Sequence, residues 1–261
     1  MSDRARRNLL WLGGIALAYG VLSGGPRLMR RAFPPDFDFE PVPGLPGFRR
    51  IATGDVSAAA AGSPALIGLD AGVPDTVPAG MPPAALSADP CGALFGEASV
   101  GGDVPVAYFV DFRCVWCRVV TPMLLARAEG AQAPIRIAWH DLPLLGDSSR
   151  IAARAAIAAG LQGRAAEWHA RVNGGRVVPS PAYLRRIAEE IGLDPDRLIA
   201  DMQSPATDRR LAISRGLADL FDFYGTPALV VGRSAVLGRI DAADLDRLIA
   251  LERAAGKLPC G

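Results

Sequence analysis

Residues 108–123 read YFVDFRCVWCRVVTPM, and this stretch decides the fold. A nearly continuous apolar run from Val104 to Phe112 predicts a strand in a sheet covered on both faces. It leads directly into Cys114-Val115-Trp116-Cys117, and a helix is expected to continue from Arg118 to Glu129 with Pro122 kinking it. Two cysteines at this spacing in the first turn of a helix can close a small disulfide with each other. The helix N-terminus presents unpaired N–H groups and about half a positive charge to the first sulfur. That field favours the thiolate, which is both the nucleophile and the better leaving group. Arg113 and Arg118 flank the pair and are expected to push the same way. Cys114 and Cys117 therefore read as a redox-active dithiol.

A zinc site is the first alternative, but zinc needs a second pair of ligands at close spacing. Cys91 and Cys260 stand alone, and His140 and His169 are far apart, so no metal site is expected. A purely structural disulfide across so short a loop would gain little unfolded-state entropy. Both histidines read as packed core or surface residues rather than proton carriers. Asp111 reads as a cap or as a partner for Arg113 or Arg118. Trp116, between the cysteines, is expected to form an apolar rim for substrate.

The 261 residues allow one or two domains, and a hydrophobic half is enough for a full core. With 28 basic against 27 acidic residues there is no charge footprint for nucleic acid. The N-terminus carries Arg4, Arg6 and Arg7 ahead of an apolar run from Leu9 to Leu22. That pattern predicts export, with residues 1–25 as a signal or membrane-anchor segment and 8–25 as the inserted part. Residues 26–91 are rich in Pro, Gly and Ala and read as a linker with one short ordered piece near Phe48 to Ile51, or as an irregular packed extension. The globular pattern is expected from residue 92 to 261.

Within that region a second strand is predicted from Ile135 to Trp139, then an all-helical block at about 147–222. Ser180-Pro181, Asp194-Pro195 and Ser204-Pro205 each place a capping residue before a proline at the first helical position. Strands return at Ala228–Val231 and Ala235–Leu237, and Asp241 caps a last helix. The order is strand, helix, strand, helical insertion, strand, strand, helix. The fold class is α/β, a thioredoxin layout with an inserted helical subdomain.

From about residue 100 onward the chain resembles the DsbA-like branch of the thioredoxin superfamily, the exported bacterial thiol–disulfide oxidoreductases. The resemblance rests on Asp111-Phe112-Arg113-Cys114, on Pro122, and on DLPLLG followed by an alanine-rich helix and Trp168-His169. It also rests on Gly225-Thr226-Pro227 before an apolar strand, with Gly238 after the next one. It implies that Cys114 attacks and Cys117 resolves. Thr226 and Pro227, at a cis-proline loop, would face the disulfide and hold a substrate strand by free backbone groups. It implies no cofactor. Its partners would be client proteins with cysteine thiols or disulfides, together with a membrane redox partner. Two positions depart from the family pattern. Val115-Trp116 replaces the Pro-His of strongly oxidising members, and Tyr108 stands where many relatives carry a buried acid.

The leading expectation is a periplasmic dithiol oxidase, with a disulfide reductase or isomerase next and a copper-binding chaperone last. If Cys114 and Cys117 pair with each other, Cys91 and Cys260 remain for a structural disulfide between ADPCG and KLPCG.

Overall fold

The computed structural model describes residues 36–51, 54–58, 79–99, 103–130, 134–173, 175, 180–256 and 258. The expected signal or anchor segment, Phe33 and Cys260 lie outside the described residues. The chain divides into two compact units, Met1–Asp38 and Phe39–Gly261. Of the first, the described residues 36–38 carry no regular structure. All that follows concerns the second.

A six-stranded sheet organises this unit. Its strands are β1 (Glu40–Pro41), β2 (Arg49–Arg50), β3 (Val104–Val110), β4 (Ile135–Asp141), β5 (Ala228–Val231) and β6 (Ser234–Leu237). They lie in the order β1-β2-β6-β5-β3-β4. Buried along its whole length, β3 pairs parallel with β4 and antiparallel with β5. Such a strand needs cover on both faces, which explains the unbroken apolar run. Alternation along it sends Tyr108 toward the helix α3 (Cys117–Ala128), and Phe109 toward the opposite core. That core gathers Leu94, Phe95, Leu142, Leu217, Phe221 and Phe223 around Phe109.

Ahead of β3 come α1 (Pro83–Ser87) and α2 (Pro90–Phe95). Among the described residues, five helices fall between β4 and β5: α4 (Asp147–Leu161), α5 (Ala165–Asn173), α6 (Pro181–Glu190), α7 (Pro195–Asp201) and α8 (Pro205–Leu220). The serine and aspartate caps act as the sequence signals predict. Ser180 accepts from the Tyr183 N–H, Asp194 from those of Asp196 and Arg197, and Ser204 from that of Thr207. Each cap contributes about 1 kcal/mol. Small side chains on α4 (Ala152, Ala155, Ala156, Ala159) let Trp168, Leu184, Ile187 and Leu198 close around it as a second core. The last helix, α9 (Ala242–Ala255), is capped by Asp241 as expected.

The described residues 39–51 pack on the fold. Val42, Leu45 and Phe48 are buried in the same core as Phe109, and Phe48 meets Phe221 edge-on at 5.4 Å. β2 adds to the sheet in parallel beside β6, pairing Arg49 with Ser234 and Arg50 with Ala235. Arg49 donates at 2.7 Å to the buried carboxylate of Glu252 on α9, which also accepts from the Ser234 hydroxyl at 2.6 Å. Arg49 is only partly buried and Glu252 almost wholly so, and their bond ties the extension to the last helix at this point. Among the described residues no helix is long and apolar enough to cross a membrane.

Candidate active site

The site begins where β3 ends. The Asp111 carboxylate is buried and accepts four hydrogen bonds: from the Arg113 N–H (2.7 Å), the Leu144 N–H (2.7 Å), the Leu145 N–H (3.0 Å) and the Ser149 hydroxyl (2.6 Å). Its own carbonyl accepts from the Cys114 N–H at 3.0 Å. Asp111 therefore ties the cysteine loop to the DLPLLG turn through main-chain donors, and its carboxylate meets neither arginine side chain. The Arg113 guanidinium instead donates to Ser148, and that of Arg118 to the Gly175 carbonyl.

Regular helix starts at Cys117, one turn later than the sequence suggests, and Cys114 sits just before it. Both cysteines are buried and neither is in a disulfide. The Cys114 sulfur accepts the Cys117 N–H at 3.0 Å, as a helix cap would, and lies 3.2 Å from the Thr226 carbonyl. Hydrogen bonding from the Cys117 thiol is the main cause that brings the Cys114 pKa down to about 6. Burial opposes it, while the neighbouring Thr226 and Ser57 and the Cys117 main-chain N–H act in the same lowering direction. Burial first, then the neighbouring Cys114, pushes the Cys117 thiol well above its ordinary value. The pair is thus split into an anion-forming outer sulfur and a proton-holding inner one. Short-range hydrogen bonding lowers Cys114 and burial raises Cys117; the flanking arginines, expected to contribute, are engaged elsewhere.

Beneath Cys117 lies the fully buried Tyr108, its hydroxyl 3.4 Å from the Cys117 carbonyl and 3.0 Å from the Thr121 hydroxyl. Trp116 is half-buried with the Arg239 guanidinium 5.4 Å from its ring centroid. Both histidines are buried. His169 is stacked between Phe112 and Trp139, and burial takes its pKa down to about 3. Its Nε2 stands 3.5 Å from the buried Asp141 carboxyl, which burial pushes well up. His140 stacks on Phe109 and has its Nε2 2.7 Å from the Leu94 carbonyl, with its pKa lowered by burial to about 4.

The Thr226–Pro227 peptide bond is cis, and the loop brings Thr226 beside Cys114. One expectation needs correction here. The Thr226 backbone groups are not free: its N–H donates to the Ser57 carbonyl at 2.9 Å, and its carbonyl accepts the Ser57 N–H at 2.7 Å. Ser57 is the site residue that the sequence reading missed. It lies in TGDVSAAAAG, which has no periodicity, and pairs across 169 positions of the chain, so no local signal marks it. Of the four donors to Asp111, only Arg113 is near in sequence; Leu144, Leu145 and Ser149 reach it through the fold. Cys91 is disulfide-bonded, while its expected partner Cys260 lies outside the described residues.

Comparison with known proteins bears on this geometry. The chain is 31% identical to a thioredoxin-like oxidoreductase from Silicibacter pomeroyi, with a TM-score of 0.56 over 62% of this chain and 97% of that one. The thiol–disulfide exchange protein alpha-DsbA2 from Wolbachia pipientis, 23% identical, shares the fold with a TM-score of 0.52 over 57% of this chain and 81% of that one. Among curated relatives, a sodium/proton antiporter NhaA 3 from Salinispora tropica is 32% identical over 130 residues, 49% of this chain and 20% of the antiporter. The antiporter NhaA from Herminiimonas arsenicoxydans is 30% identical over 159 residues, 56% of this chain and 23% of its own. The chain spans about a fifth of the length of these antiporters, so nothing of their transport is carried across. The model of the DSBA-like thioredoxin domain matches residues 105–250, which include both cysteines, the helical insertion and the cis-proline loop. The chain belongs to the DSBA-like thioredoxin domain family, whose thioredoxin-fold members are thiol–disulfide oxidoreductases.

Proposed function

We propose that the protein exchanges disulfides with client proteins through Cys114 and Cys117 and works as a dithiol oxidase. The observation that carries this reading is the split between the two sulfurs, with Cys114 low at about 6 and Cys117 well above its ordinary value. In the oxidised protein a client thiolate attacks the Cys114 sulfur, the Cys114–Cys117 bond breaks, and Cys117 leaves with the electron pair and takes up a proton. A second client thiolate then attacks the client sulfur of the mixed disulfide and expels Cys114 as a thiolate. A low-pKa thiolate is a good leaving group, so the final step runs toward oxidised client. The two electrons then pass from the reduced dithiol to the disulfide of a membrane redox partner. Thr226 and Pro227 line the approach to Cys114, and Trp116 forms part of its apolar rim.

We place the protein in the periplasm, exported by residues 1–25 and held to the membrane by residues 8–25. We pair Cys91 with Cys260 as a structural disulfide at the two ends of the fold. A reducing role is the second reading, favoured by one observation: Trp116 supplies no donor to the Cys114 thiolate where an oxidising relative would carry histidine. Equilibration of the Cys114–Cys117 couple with glutathione, beside assays of client oxidation and insulin reduction, decides the direction. A strongly reducing potential together with rapid insulin reduction would overturn the oxidase reading.

A further inference from the structure

The main-chain edge beside the Cys114 sulfur is already filled by the chain itself. Ser57 and Thr226 form an isolated antiparallel bridge through both of their backbone hydrogen bonds. Leading into it, the Gly54 N–H donates to the Leu237 carbonyl and the Arg239 N–H to the Asp55 carbonyl, both at 2.8 Å. The Arg239 guanidinium lies 3.5 Å from the Asp55 carboxylate. The approach is close enough to need glycine, since a Cβ on Gly54 would stand 2.2 Å from the Arg239 carbonyl oxygen. Gly54, Val56 and Ser57 are only half-buried and Asp55 is exposed, so main-chain bonds hold this segment more than core burial does. Segments held in this way open at low free energy while the core stays folded. Cys114 beneath it has no exposed surface, so in this conformation a protein disulfide cannot reach the sulfur.

We propose that residues 54–57 are a built-in pseudo-client strand: they occupy the place of a client's extended segment, with Ser57 standing where the client cysteine would, and they peel away before a client docks. Serine suits that place. Its main chain pairs with Thr226, its hydroxyl acts to lower the Cys114 pKa, and its oxygen cannot form a disulfide, so the pairing is reversible under any redox condition. The strap therefore competes with extended clients for Thr226. Small disulfides, which need no strand pairing, escape most of this competition. The inference rests on the oxidoreductase reading above and adds what fills its client edge at rest.

Two experiments test it. In the first, Ser57→Cys is combined with Cys117→Ser and the reduced protein is treated with oxidised glutathione. The Cys114 thiolate attacks one glutathione sulfur and releases one glutathione thiolate. The new thiolate at position 57 then attacks Cys114 in the mixed disulfide and releases the second glutathione. Two protein thiols are oxidised and one glutathione disulfide is reduced to two thiols. Mass spectrometry should find a disulfide between positions 57 and 114; a Cys114–glutathione adduct that persists without it overturns the proposal. In the second, Ser57→Pro removes one bridge donor and Gly54→Val forces the strap away at its other end. Rates of the reduced protein with an extended disulfide-bearing peptide and with oxidised glutathione are compared as a ratio, which cancels any change in thiolate fraction. That ratio should rise roughly tenfold on release of the strap, and an unchanged ratio in a folded variant overturns the proposal. If Cys114 of the unaltered protein reacts with glutathione no faster than free cysteine, the oxidoreductase reading itself fails.

Discussion

The Tyr108 hydroxyl lies 3.0 Å from the Thr121 hydroxyl, on the buried floor under the second cysteine. Burial, more than the nearby cysteines, pushes the phenol well above its ordinary pKa, so it stays neutral at physiological pH. A neutral phenol donates a hydrogen bond here but offers no carboxylate to draw a proton from Cys117. Tyr108→Phe deletes that donor and leaves the Thr121 hydroxyl and the Cys117 carbonyl short of a partner. The reduced protein should lose about 1–2 kcal/mol. Urea unfolding at unchanged slope measures it, and an unchanged midpoint would show that the hydroxyl contributes nothing.

Asp111→Ala should be the most damaging polar substitution near the site. It strips the acceptor from three main-chain donors in two loops and from the Ser149 hydroxyl on α4, and the loss should be about 3 kcal/mol or more. A loss below about 1 kcal/mol would mean that the loops hold their places without the carboxylate.

Two buried neutral histidines make the protein sensitive to acid. Below about 6.5 the unfolded chain binds protons that native His140 and His169 refuse, so stability falls with pH. The loss extends down to about 4 for His140 and about 3 for His169. Asp141, whose buried carboxyl holds its proton more tightly than in the unfolded chain, works in the opposite sense. His169→Phe keeps an aromatic ring between Phe112 and Trp139 and should flatten the dependence by about one proton per molecule below about 6.5. Equal slopes for variant and parent would contradict the neutral assignment.

Trp116→His should make the Cys114–Cys117 couple more oxidising. A histidine there can donate to the Cys114 thiolate and stabilise the reduced form. Each tenfold change in the equilibrium with glutathione corresponds to roughly 30 mV. A constant potential would remove the argument from the dipeptide.

What the sequence made legible was what local pattern controls. β3, the cysteine pair, the proline in α3, the three capped starts of α6, α7 and α8, and the loop at Thr226–Pro227 all carry signals within a few residues. The extension carried less: the sequence suggests one short ordered piece near Phe48 to Ile51, where β2 lies, but neither β1 nor the pairing with the sheet. β1 and β2 are two residues each, and they exist because β6 offers backbone partners and Glu252 offers Arg49 a carboxylate. No period can mark elements that short. The same holds for Ser57, whose importance comes wholly from its pairing with Thr226. Charge was misread for a different reason. Arg113 and Arg118 are adjacent to the cysteines in sequence, yet exposed arginines reach far, and these bond to Ser148 and Gly175.

The claim that matters most is that Cys114 is the anionic nucleophile and Cys117 the protonated partner. Ultraviolet thiolate absorbance of the reduced protein, followed against pH, tests it most directly. The account predicts one transition near pH 6 that disappears in Cys114→Ser and persists in Cys117→Ser, moved upward by the loss of the Cys117 thiol. A reduced protein with no thiolate below about pH 8, the ordinary cysteine range, would contradict it.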